Sequence, residues 1–120
     1  MKVPQFKVKR VYEEPAEEDG LRLLVDRLWP RGVSKERGKI DRWAKNLAPS
    51  HELRRRFHHD PETWEEFKAA YFEELGHQLE AVAEVLQDAA NGPVTLVYAA
   101  KNEAQNNAVA LKLYLEAQRG

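Results

Sequence analysis

Residues 93–99, PVTLVYA, decide the fold. Val94, Leu96, Val97 and Tyr98 make this the most hydrophobic strand in the chain. Without clear alternation it reads as buried on both faces, as central strands of parallel sheets are. The segment from about Glu103 to Gln118 then puts Ala104, Ala108, Leu111 and Leu115 on one face of a helix. A buried strand leading directly into an amphipathic helix is one half of a parallel α/β unit.

Working outward, Leu21, Leu23, Leu24 and Val25 form a second buried strand, which ends abruptly in Asp26, Arg27, Trp29, Pro30, Arg31 and Gly32. Phe6, Val8 and Val11 alternate partly with Lys7, Lys9 and Arg10, the pattern of a half-exposed edge strand. The connection EEPAEEDG is too short for a full crossover helix. The first two strands are therefore antiparallel neighbours or joined by a compressed turn.

Between the second strand and PVTLVYA the periodicity is helical. Ser34 and Gly38 bracket a short turn, and Ile40, Trp43, Ala44 and Leu47 fall at the spacing of a short helix. Ser50 caps HELRRRF, and Asp60-Pro61-Glu62 is a strong helix start. Trp64, Phe67, Tyr71 and Leu75 form a stripe assigned to core packing. Leu79, Val82, Leu86 and Ala89 form another, giving an antiparallel helix pair. The expected architecture is one α/β domain over residues 1–120, with a small, mostly parallel sheet of three or four strands flanked by helices in three layers.

Composition narrows the function. The 120 residues contain no cysteine, which removes thiolate catalysis, disulfides and Cys-containing zinc sites and fits a reducing cytoplasm. No signal-like or membrane-spanning apolar run is present. Lys and Arg number 19 against 20 Asp and Glu, so the net charge of −1 supplies no global field for nucleic acid or anionic lipid. Anion binding must be local. The phosphate-loop, dinucleotide and nucleophile-elbow motifs are all missing, and no cofactor is expected.

The candidate site follows from strand direction, because ligands of open α/β sheets sit beyond the carboxyl ends of the strands. If the two buried strands are parallel, Asp26, Arg27 and Arg31 share a rim with Lys101, Asn106 and Asn107. Arginines and a lysine around a helix N-terminus favour a phosphate, sulfate or carboxylate, so a small anionic ligand is the expected partner. Arg27 and Arg31 would bind it, Trp29 and Lys101 would contact it, and Asn106 and Asn107 would fix it. Asp26 would orient Arg27 or act as a base. Arg54, one turn from Ser50 and His58, is the member of the Arg54-Arg55-Arg56 run placed to face this cluster. His59, beside Asp60, is the candidate general acid or base. Adjacent His58 and His59 point apart, and neither has an i, i+4 partner, so no metal site is expected. The competing structural reading makes Asp26 and Arg27 a strand-end pair and the asparagines loop caps. The leading functional expectation is an anion site that could serve an enzyme acting on a phosphorylated or nucleotide-like small molecule; the competing function is a non-catalytic module that captures an acidic peptide or nucleic-acid phosphate.

The chain resembles the YeaO-like family, a branch of a larger family described as a domain of unknown function. The matching stretches are RVYEEP (10–15), LLVDRLWPRGVSKE (23–36), WAKNLAPSHELRRRFHHDPETWEEF (43–67), Tyr71 to Leu75, and PVTLVYAAKNEAQNNA (93–108). The resemblance implies a three-layer α/β fold. The larger family carries D-V-R followed by proline after one strand, and C-x-E with a later C-H-R after another. Here Asp26-Arg27 with Pro30, Tyr98-Ala99-Ala100 and Asn106-Asn107-Ala108 stand in those places. Cysteine or histidine chemistry of the broader family therefore does not carry over to them.

Overall fold

The structure, a computed structural model, describes residues 6–57 and 61–118. Four strands, β1 (Lys7–Arg10), β2 (Leu21–Leu24), β3 (Arg42–Trp43) and β4 (Val94–Tyr98), form one sheet in the order β1-β4-β2-β3. Every neighbouring pair is parallel. All five residues of β4 are buried, which is why that segment lacks alternation. β1 lies at the edge, and it runs parallel to β2 with β4 between them.

Residues 11–20 make this crossing with only a 3-10 turn at Glu17–Asp19. The compressed connection depends on Gly20, whose φ is +65° and where a Cβ would lie 2.3 Å from the Pro93 carbonyl oxygen. That close approach lets the Leu21 amide donate to the same oxygen at 2.9 Å.

The sheet has two different faces. On one, Leu23, Val25, Val94 and Leu96 pack against α2 (His51–Phe57), α3 (Trp64–Leu75), α4 (Leu79–Asn91) and α5 (Asn107–Ala117). On the other, Val11, Leu24 and Val97 are covered by Ile40, Val33 and Trp29, from the segment that holds α1 (Lys35–Gly38). Beside this smaller cluster lies a buried ionic group. Asp19 accepts from Arg22 Nη1 at 2.5 Å, from Lys9 Nζ at 3.2 Å and from the Ala16 amide at 3.0 Å. Burial pushes the Asp19 carboxyl up, but the Ala16 amide, Lys9 and Arg22 outweigh it and hold the group below its ordinary value.

Three local expectations give way to tertiary contacts. Residues 40–47 form β3 and a 3-10 turn at Lys45–Leu47, and not a helix. The edge of β2 captures this backbone: the Asp41 amide donates to the Arg22 carbonyl at 2.9 Å, and the Ala44 amide to the Leu24 carbonyl at 2.8 Å. In place of an antiparallel α3–α4 pair, α3 packs chiefly against α2 and α5, while α4 packs on the Lys45–Leu47 turn. Val82 and Val85 are its buried residues, and Leu79 is exposed. Finally, α5 starts at Asn107 and not near Glu103, because Asn106 Oδ1 caps the Val109 amide at 2.9 Å. Ser34 and Ser50 do cap their helices, accepting from the Arg37 and Leu53 amides. Among the described residues no helix is long and apolar enough to cross a membrane.

Candidate functional site

Because all the strands are parallel, their carboxyl ends share one rim, and a cavity of about 360 Å³ opens there. Its floor comes from the ends of β2 and β4, with Asp26, Arg27, Ala99 and Ala100, and from the start of α5, with Gln105, Asn106 and Asn107. One wall is supplied by α2 and α3, through Arg54, Phe57, Trp64 and Phe67. The other is the loop after β2, through Leu28, Trp29, Pro30 and Arg31, together with Tyr12.

The loop after β2 is pinned at several points. Trp43 Nε1 donates to the Asp26 carbonyl at 2.7 Å, and Trp29 Nε1 donates to the Val33 carbonyl at 2.6 Å. The two indoles meet edge to face, with centroids 5.4 Å apart. Tyr12 Oη donates to the Arg31 carbonyl at 3.1 Å, and Gly32 makes the following turn at φ +73°. Asp26 holds the floor together: its carboxylate accepts from the Ala99 amide at 2.9 Å and from Asn107 Nδ2 at 3.0 Å. The Asn107 amide also donates to the Val25 carbonyl at 2.9 Å.

The helical wall is fixed by equally specific bonds. Ser50 donates to the Glu74 carboxylate through its amide at 2.9 Å and its hydroxyl at 2.6 Å, which seats the start of α2 on α3. Fully buried Tyr71 donates its hydroxyl to the Leu47 carbonyl. Burial pushes the Tyr71 phenol well up, with the Glu74 and Asp26 carboxylates acting in the same direction, so it stays a proton donor.

Of the residues singled out by sequence, Asp26, Arg27, Trp29, Arg31, Arg54, Asn106 and Asn107 line this one cavity. Three refinements follow. Asn106 is 1% exposed and committed to structure: besides capping α5, its Nδ2 donates to the Asn102 carbonyl at 2.8 Å. Lys101 is exposed and does not line the cavity, since the chain turns away through Asn102, whose Oδ1 accepts from the Ala104 and Gln105 amides. His59 lies outside the described residues, as does the Asp60 cap. Among the described residues no group of three or more His, Asp or Glu is placed to hold a metal.

The charge of the lining opposes that of the chain. Three arginines, Arg27, Arg31 and Arg54, face a cavity whose described lining holds one carboxylate, Asp26. The arginines engaged in ion pairs among the described residues are elsewhere: Arg22 with Asp19, and Arg42 with Glu84 and Asp88.

Sequence reasoning missed the aromatic wall. Trp64 and Phe67, assigned to the core, do pack against it, but they are half-buried and also line the cavity, whereas Tyr71 and Leu75 on the same stripe are sealed at 0% and 1% exposure. The stripe starts at the rim and runs down onto the sheet, so its first turns overlook the strand ends. Their large ring size was the available signal.

A four-stranded parallel sheet with this rim cavity places the chain among small α/β proteins, and its sequence places it more narrowly. The chain belongs to a family of unknown function: a family model described as the inactive DUF488-N3 subclade matches residues 5–119. Similar proteins include the uncharacterized protein YeaO of Escherichia coli K12, 41% identical over 107 residues, covering 89% of this chain and 93% of that protein. The uncharacterized protein Rv3073c of Mycobacterium tuberculosis H37Rv is 42% identical over 107 residues, with 89% and 90% covered. No solved structure is found to match the chain.

Proposed function

We propose that this protein binds a small anionic molecule in the rim cavity, with Arg27, Arg31 and Arg54 as the recognising groups. The observation that carries this reading is that three arginines, from the loop after β2 and from α2, line about 360 Å³ of space. Arginine presents a planar fork of donors matched to phosphate and carboxylate, and a part-enclosed site strengthens each charged hydrogen bond. A volume of this order suits a small molecule better than a peptide or duplex.

Binding without turnover is the form of the proposal. The candidate base, Asp26, is engaged with the Ala99 amide and Asn107, which suits a structural clasp. The family description, which names its subclade inactive, agrees. The absence of cysteine fits a reducing cytoplasm as the place of action. The test is calorimetric titration with phosphate, sulfate, simple carboxylates and organic phosphates at low and high salt. Saturable one-to-one binding that weakens with salt is expected. A chain that takes up none of these anions, or binds them without saturation, contradicts the proposal.

A further inference from the structure

We infer that the ligand joins a flat aromatic ring to its anionic group, on the plan of a nucleoside monophosphate; this rests on the anion-binding reading and deepens it. The three lining arginines account for the anionic group of such a molecule, and the aromatic residues of the helical wall account for its ring. Trp64 and Phe67, one turn apart on α3, lie nearly parallel, with ring centroids 5.8 Å apart and an interplanar angle of 18°. Phe57 meets Phe67 edge-on at 6.0 Å and 80°. All three rings line the cavity.

Trp64 and Phe67 pack against the core on one side, yet stay half-buried where they border the cavity, which leaves apolar ring surface beside the arginines. Trp64 and Phe67 would contribute more to stability sealed, as Tyr71 and Leu75 are on the same stripe. Lys68 Nζ lies over the Trp64 ring at 5.3 Å, so a ligand ring would pack on the part of the Trp64–Phe67 pair that borders the cavity; stacking on aromatic side chains tolerates any base because every base has a π-face. Gln105 lines the floor and supplies an amide with both donor and acceptor atoms for the edge of such a ring. The cavity therefore matches the ligand on three counts: rings for a ring, guanidiniums for a phosphate, and an amide for a polar edge.

The experiment compares fragments on the intact wild-type protein. The probes are the four ribonucleoside 5′-monophosphates and phenyl phosphate, set against ribose 5-phosphate and inorganic phosphate, with calorimetry and tryptophan fluorescence as readouts. At least one aromatic phosphate binding about tenfold or more tighter than ribose 5-phosphate is expected, with a change in tryptophan emission. Trp64→Leu and Phe67→Leu, each checked for folding by circular dichroism, should lose that preference while keeping affinity for ribose 5-phosphate. If ribose 5-phosphate or inorganic phosphate binds as well as every aromatic phosphate, the aromatic inference is overturned and the anion site stands. If no phosphate of either kind binds, both readings fall.

Discussion

Asn107 Nδ2 donates to Asp26 Oδ1 at 3.0 Å, tying the first residue of α5 to the second residue after β2. The other carboxylate oxygen takes the Ala99 amide at 2.9 Å, so one side chain joins the ends of two strands and the helix that follows them. The clasp fixes the floor on which Arg27 stands. Asn107→Ala should destabilise the fold by about 1–3 kcal/mol, because it removes the donor to Asp26 and to the Val25 carbonyl. A double-mutant cycle with Asp26→Ala, read by urea unfolding, should show non-additive losses.

Acid sensitivity is expected from Asp19. Its folded carboxyl lies below the ordinary value, so its contribution is fully present above the unfolded pKa of about 3.9 and is lost as pH falls through the folded value. Stability should therefore decline below about pH 4, and Asp19→Asn should flatten that decline. The same substitution should lower stability at pH 7 by roughly 3–5 kcal/mol, since Arg22 would stay buried without its counter-charge. Unfolding midpoints measured from pH 2 to 7 on both proteins check this.

Gly20→Ala should destabilise by about 2 kcal/mol or more, through a positive φ and a Cβ pressed against the Pro93 carbonyl. Gly32→Ala, at a similar φ of +73° but with open space around its Cβ, should cost less. Thermal unfolding of the two variants separates clash from strain.

Tyr71→Phe leaves the ring packing in place and removes the hydroxyl that donates to the Leu47 carbonyl. A loss of about 1–3 kcal/mol is expected, from leaving a buried carbonyl without its donor. Denaturant unfolding is the measurement; an unchanged midpoint would show that the bond adds no net stability.

Much of this architecture was legible because burial sets local pattern. The hydrophobic, non-alternating run of β4, interrupted only by Thr95, announced a central parallel strand, and Ser34 and Ser50 announced their helices. Once parallel strands were expected, strand-end polarity led to Asp26, Arg27, Arg31 and Asn107 at one rim. Residues 40–47 misled, since Ile40, Trp43, Ala44 and Leu47 have helical spacing while the backbone satisfies itself on the exposed edge of β2, a partner far away in sequence. Trp64 and Phe67 pack against the core as their spacing implied, and they line the cavity as well, which it did not imply. Periodicity identifies the face a helix turns inward, but where that face extends past the sheet it opens onto a cavity, and spacing alone does not mark the point of crossing.

The central claim, that the rim arginines bind an anion, is tested most directly by comparing Arg27→Ala with Arg55→Ala. Arg27 lines the cavity, whereas Arg55 is exposed on α2 and does not. Calorimetric titration of both variants with the tightest-binding phosphate of the panel, after circular dichroism confirms folding, is the measurement. Affinity should fall about tenfold or more in Arg27→Ala and change little in Arg55→Ala, because an exposed ionic contact is worth about 1 kcal/mol or less. Undiminished binding in Arg27→Ala, or equal losses in the two variants, would contradict the account.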